Sequence, residues 1–189
     1  EAKRLASEGV KELVLVAQET TLYGKDLTGE KQLPLLLHEL CKIEGIEWIR
    51  LLYCYPEEIT DELIKVIKTE EKVCNYIDMP IQHSENRILQ RMGRRTSRED
   101  LVAVIKKLRK EIPDITIRTT LITGFPGESQ EDHEGLMNFV EECQFDRLGV
   151  FTYSPEEDTL AATFEDQIDE EVKEERRDEL MSLQQEISY

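Results

Sequence analysis

Five times in 189 residues, a short apolar run ends on polar side chains and gives way to a helical stretch. The runs are Glu12 to Ala17, Trp48 to Cys54, Tyr76 to Ile81, Ile115 to Ile122 and Arg147 to Tyr153. Strands that alternate with helices at a spacing of roughly 30 residues are βα units. Such units make a parallel sheet, because the chain must cross back over a helix before starting the next strand. Right-handed crossovers then either curl the sheet into an open barrel or wind it doubly. The expected fold class is α/β.

The connecting segments carry helix signals. EAKRLASEG reads as a helix closed by Gly9, and LPLLLHELCKIEG as one with Pro34 in its tolerated first turn and Gly45 as its stop. Thr60 is spaced to cap TDELIKVIKTEEKV, and Asp61 and Glu62 suit the positive helix end. The third helical region splits into 85–92 and 97–111 around a basic knot of Arg91, Arg94 and Arg95, and Pro113 breaks its second half. Ser129 caps QEDHEGLMNFVEEC. Residues 169–188 form a last amphipathic helix, with Ile168, Val172, Leu180, Leu183 and Ile187 on one face. The expected division is a core over 1–168 and a terminal helix in 169–189.

Composition bounds the class. Hydrophobic residues make up 39% and charged residues 34%, as in a soluble globular protein, and no apolar run is long enough to span a membrane. Nothing resembles a signal peptide. Net charge is −17. A compact acidic domain repels phosphate backbones and favours a basic partner, so direct nucleic-acid binding is not expected; solubility is the plainer use of such charge. Cys41, Cys54, Cys74 and Cys143 stand 13, 20 and 69 residues apart, so no CxxC or CxxxCxxC set is available for a metal or cluster. They read as buried free thiols in a reducing cytoplasm. The sequence opens at Glu1, already in helical text, which suggests a piece of a longer chain.

The strand ends carry Gln18/Glu19/Thr20, Tyr53/Tyr55, Gln82/His83/Ser84, Thr123/Gly124/Glu128 and Thr152/Tyr153/Ser154. In a parallel sheet these tips share one rim, where α/β enzymes keep their chemistry. The rim offers amides, hydroxyls and an imidazole, with arginines nearby, and suits a partly anionic small molecule bearing a heterocycle and a sugar. GxSxG, HExxH, GxxxxGK[ST] and GxGxxG are all absent. Within GFPGE, the glycines would let a flat ligand approach the backbone and Glu128 would fix the loop, although an ordinary strand-to-helix turn reads the same way. His83 reads as a loop-orienting residue, His38 and His133 as surface residues on helices, and Arg91 as solvated charge.

Three stretches, YIDMPIQHSENRILQRMGRRTS, TTLITGFPGE and FDRLGVFTYSPEEDT, together resemble the radical S-adenosylmethionine methylthiotransferases. The resemblance runs along the whole chain, through QETTLYGKDL, LLYCYPEEITDELI and the tail RRDELMSLQQEIS, which is similar to the helix leading into that family's TRAM domain. PIQHSE fits the branch that modifies a ribosomal protein; the tRNA-modifying branch usually has PVQSGS there. The resemblance implies an open, TIM-like (β/α)6 barrel whose first strand and CxxxCxxC loop would precede Glu1. It implies S-adenosylmethionine as cofactor and two [4Fe–4S] clusters in the full-length enzyme, none ligated by this stretch, which alone would be inactive. It implies insertion of a methylthio group at an aspartate β-carbon of a basic small-subunit ribosomal protein, by way of a 5′-deoxyadenosyl radical, with no side chain needed as acid or base.

Carried onto this sequence, the resemblance sets Gln18, Glu19 and Thr20 toward the methionine amino group and Tyr53, Gln82 and Ser84 near the ribose. Arg94 falls on the methionine carboxylate, which a guanidinium fork fits. Thr120, Ile122, Gly124 and Glu128 lie by the adenine, with Phe151 and Tyr153 beside it. A tRNA methylthiotransferase and a non-catalytic nucleotide-binding barrel stay open as alternatives.

Overall fold

The structure is a computed structural model that describes residues 1–188. Tyr189, at the end of the expected terminal segment 169–189, lies outside the described residues. The elements run α1 (Ala2–Ser7), β1 (Glu12–Leu15), α2 (Lys25–Thr28), α3 (Leu33–Cys41), β2 (Trp48–Leu51), α4 (Asp61–Thr69), β3 (Val73–Asp78), α5 (Asn86–Arg91), α6 (Arg98–Glu111), β4 (Thr116–Thr123), α7 (Gln130–Cys143), β5 (Arg147–Thr152) and α8 (Glu170–Ile187). The five strands lie in one sheet in the order β1-β2-β3-β4-β5. An unbroken sequential order follows when each helix carries the chain over in the same sense.

Two compact units divide the chain: Glu1–Met79 with Lys106–Ile117, and Pro80–Ile105 with Arg118–Tyr189. In the first unit, β1 pairs in parallel with β2, Leu13 opposite Ile49, and β2 pairs in parallel with β3. α3 packs on α4, and α4 on β3. The core holds Leu37, Ile49, Leu51, Ile67 and Ile77, each at most 1% exposed. α4 starts where the sequence places it, with the Thr60 hydroxyl accepting the Leu63 amide at 3.2 Å.

In the second unit, β4 and β5 pair in parallel from Arg118↔Arg147 to Thr123↔Thr152. β4 alternates strictly: Thr119, Leu121 and Thr123 are buried, while Arg118, Thr120 and Ile122 are partly open on the other face. That period of two presents Thr120 and Ile122 together. α7 opens on a capping box in which Ser129 and Asp132 exchange side-chain and backbone hydrogen bonds. α8 packs on both β5 and α7.

Four expectations need correction. α4 ends at Thr69, and β3 begins at Val73 rather than Tyr76. The Ile49 amide bonds to the Lys72 carbonyl at 2.7 Å, and β-branched Val73 pairs opposite Ile49, so sheet pairing overrides the helical continuation. β1 stops at Leu15 and is an outer strand, with Val14 48% and Val16 61% exposed, not a buried one. His133 is 1% exposed, not a surface residue, and its Nε2 lies 2.6 Å from Glu179. Of the stripe expected on α8, only Leu180 is buried; Lys173, Arg176 and Gln184 are buried with it, each donating to a protein acceptor, while Arg176 Nε and Gln184 Oε1 have no partner among the described residues.

Candidate functional site

The second unit contains a cleft of about 650 Å³. The end of β5 contributes Phe151 to Ser154, β4 and its following loop contribute Ile122 and Phe125, and the α5 end contributes Met92 and Arg94. Gln82 and the short helical turn Leu160–Thr163, through Leu160 and Ala161, complete it. Its volume is that of a small-molecule site, and its floor is mostly apolar and aromatic. Phe125 meets Tyr153 edge-on at 5.2 Å and Phe164 at 6.4 Å.

The charge of the lining is the reverse of the molecule's. In a chain of net charge −17, it contains Arg91 and Arg94 and no Asp or Glu. Arg91 is held to Asp166 at 2.7 Å, donates to the Pro126 carbonyl at 3.1 Å and stacks 4.6 Å over Phe164, so it is not the solvated charge its sequence context suggests. Arg94 Nη2 donates to the Pro80 carbonyl at 3.3 Å.

Gln82 sits between strands with φ +72°, a left-handed backbone that a residue with a Cβ rarely takes. It is pinned there: its amide donates to Thr120 O at 2.9 Å, and its carbonyl accepts from the Ile122 amide at 2.8 Å. Its side-chain Oε1 is buried with no hydrogen-bond partner among the described residues. A strained backbone fixed on both sides, carrying an orphaned acceptor, is a feature that a ligand donor would complete.

The remaining residues singled out from the sequence fall as follows. Ser84 is buried; its hydroxyl donates to Glu85 Oε1 at 3.1 Å and accepts from Arg98 at 3.2 Å. Glu128 is 2% exposed and accepts the Gly124 amide at 2.9 Å, fixing the loop in the manner its place in GFPGE suggests. Gly124 and Gly127 have positive φ, and a Cβ on either would strike protein: the Lys173 side chain for Gly124, Asp166 Oδ2 for Gly127. Their lack of side chains is therefore already used by neighbouring elements. His83 is buried and its Nδ1 accepts the Glu85 amide at 3.0 Å, the loop-orienting role read from the sequence.

Gln18, Glu19, Thr20 and Tyr53 belong to the first unit. Gln18 is exposed. The Thr20 hydroxyl donates to Leu52 O at 2.6 Å and accepts the Ala17 amide at 3.2 Å. Glu19 Oε1 takes the Thr21 amide at 2.9 Å, the Thr21 hydroxyl, and the Tyr55 amide at 3.4 Å; burial raises its carboxyl pKa against those bonds. Tyr53, at φ +57°, is 47% exposed, and its amide donates to Asp78 Oδ2 at 3.1 Å. Asp78, 1% exposed at the end of β3, was not singled out from the sequence, although a carboxylate ending an apolar strand is a signal that could have found it. Phe125, Met92, Leu160 and Ala161 were also missed as cleft residues, being apolar side chains that read as core.

Among the described residues, no group of three or more His, Cys, Asp or Glu side chains is placed to hold a metal ion. All four cysteines are free, Cys54 and Cys143 buried and Cys41 and Cys74 half-buried, and burial drives the Cys41 thiol pKa up to about 11. Among those residues, too, no helix is long and apolar enough to cross a membrane.

Residues 1–140 match the profile of the Radical SAM superfamily. Two proteins named ribosomal protein uS12 methylthiotransferase RimO, from Lachnoclostridium phytofermentans and Clostridium perfringens, are 64% and 61% identical to this chain over its full extent, which covers 43% and 42% of theirs. The chain thus spans less than half the length of these relatives. Among solved structures, the radical S-adenosylmethionine methyltransferase TsrM from Kitasatospora setae gives a TM-score of 0.62 at 17% identity, over 80% of this chain and 29% of that one. Elp3 from Methanocaldococcus infernus gives 0.61 at 15% identity, over 96% and 47%. At such identities the likeness concerns the fold alone.

Proposed function

The chain belongs to the radical S-adenosylmethionine superfamily, and on that premise we propose that the cleft of its second unit receives S-adenosylmethionine. The observation that carries this reading is the composition of the cleft: an aromatic and aliphatic floor, orphaned polar atoms on Gln82 and Tyr153, and a lining that has arginines but no Asp or Glu. Adenine fits against Ile122, Phe125 and Tyr153, where a flat ring gains dispersion and loses water. A ribose hydroxyl supplies the donor that Gln82 Oε1 lacks. Arg94, whose Nη2 donates to the Pro80 carbonyl, lines the cleft and is proposed to meet the methionine carboxylate through a charge-assisted hydrogen bond. Phe151, 60% exposed, covers the ligand's open face. Ser84, Thr120, Gly124 and Glu128 are proposed to frame the ribose and adenine.

When bound, S-adenosylmethionine supplies the means of breaking an unactivated C–H bond; the side chains of this chain bind, orient and exclude water. The longer protein is proposed to be a methylthiotransferase that places a methylthio group on the β-carbon of an aspartate in ribosomal protein uS12, in keeping with the name of its relatives. The net charge of −17 supports a basic protein substrate, which it steers inward, over tRNA, which it repels. The reaction proposed is cytoplasmic.

Titration calorimetry of S-adenosylmethionine against the chain and its Arg94→Met variant tests the binding reading. Loss of a charge-assisted hydrogen bond corresponds to a fall of about 10- to 100-fold in affinity; equal affinities contradict the role of Arg94. For the substrate, protein of the relatives' full length is offered uS12 and tRNA together. Methylthio label on uS12 is expected, and label on tRNA alone overturns the assignment.

A further inference from the structure

Helix α8 buries two cations directly behind the cleft wall. Lys173 is 5% and Arg176 7% exposed, one turn apart. Arg176 Nη1 donates to Glu128 Oε1 at 2.7 Å and to the Glu128 carbonyl at 3.1 Å. Glu128 Oε2 in turn holds the Gly124 amide at 2.9 Å and lies 3.4 Å from His83 Nε2. Lys173 Nζ donates to the Tyr153 carbonyl at 3.0 Å and sits 5.5 Å from the centre of the Tyr153 ring. The Thr123 hydroxyl donates to the Lys173 carbonyl at 3.1 Å, and the Lys173 stem fills the space where Gly124 would carry a Cβ. Two side chains of one helix therefore grip the end of β4, the loop after it and the end of β5.

Burying a charge is unfavourable unless it is paired, and an apolar side chain of similar size would pack α8 as well or better. The gain from charge here is directional. Each cation fixes a particular carbonyl or carboxylate, and those groups border Ile122, Phe125 and Tyr153 in the cleft. We infer that Lys173 and Arg176 are positioning residues of the ligand cleft: they act through Tyr153 and Glu128 to hold the adenosyl end of the site in binding geometry, so that displacement of α8 changes ligand affinity. The ligand named rests on the function proposed above; the positioning role itself does not.

Amide hydrogen exchange of the chain without ligand reads the positioning directly, since local opening exposes individual amides. In Lys173→Met and Arg176→Met, the Gly124 and Tyr153 amides are expected to exchange at least about tenfold faster while α7 amides keep their wild-type rates, with Arg176→Lys intermediate because it keeps charge but loses the fork. S-adenosylmethionine affinity is expected to fall in the same order. Unchanged rates at Gly124 and Tyr153, or an equal acceleration throughout α7, overturn the inference, the second by reducing it to general stability. If Arg176→Met leaves Glu128 too poorly paired to fold, Lys173→Met and Arg176→Lys decide by the same criterion. Wild-type protein that binds no S-adenosylmethionine sinks the proposed ligand, while the exchange rates still decide the role of α8.

Discussion

Gln82 and Tyr53 take left-handed backbone angles that glycine would take without strain. Both residues follow strands, and such angles at residues other than glycine cluster at ligand sites. Gln82→Gly relieves the strain but adds glycine's entropic cost, so stability measured by urea unfolding is expected to stay within about 1 kcal/mol of wild type. Ligand affinity is expected to fall with the lost acceptor; a large destabilisation with affinity intact contradicts this account. Gly124→Ala behaves oppositely, because its Cβ runs into Lys173 at an unfavourable φ of +68°. It is expected to lower stability by more than about 1 kcal/mol. The sequence announces a polar residue at Gln82 and a permissive one at Gly124. It cannot announce the angle of the first or the lysine behind the second, because both depend on chain more than 35 residues away.

At the scale of elements, α7 was the most legible and α8 the least. The Ser129–Asp132 box involves residues three apart, so the sequence contains all of it. Ser129→Ala is expected to cost about 1 kcal/mol in a thermal or urea melt. Burial of Asp132 opposes its ionisation, but the Ser129 hydroxyl and amide, with Arg87, outweigh it and hold the carboxyl below the usual aspartate range. Since the folded pKa is lowered, the stabilisation is present above the unfolded value of about 3.9 and disappears as pH falls through the folded one. An acid titration of stability should therefore lose part of its slope in Asp132→Asn. In α8 the apolar stripe read from the sequence is rotated from the stripe that packs, because Lys173, Arg176 and Gln184 find carbonyls and a carboxylate inside. Polar residues at helical spacing can serve as an inward face when another element supplies acceptors, and that supply is tertiary information.

For the whole molecule, the strand–helix alternation was sufficient to give a parallel α/β sheet, but it left open whether the sheet curls or winds doubly; the sequential strand order is seen only in the structure. Element ends moved by a few residues where sheet pairing competed with local preference, as at Val73. The excess of 41 acidic over 24 basic residues is a global property read without any structure. Its self-repulsion should be screened by salt, so the melting temperature is expected to rise between about 0.02 and about 0.5 M NaCl at neutral pH, while affinity for a basic protein partner falls over the same range. An adenosyl ligand is proposed to enter the arginine-bearing cleft of the second unit, whose lining has no Asp or Glu. Amide NMR of isotope-labelled chain titrated with S-adenosylhomocysteine tests it most directly. Saturable shifts centred on Gln82, Arg94, Ile122 and Tyr153 are the expected result. Shifts gathered instead on the acidic hollow between α7 and α8, around His133 and Glu179, or no saturable shift at all, would contradict it.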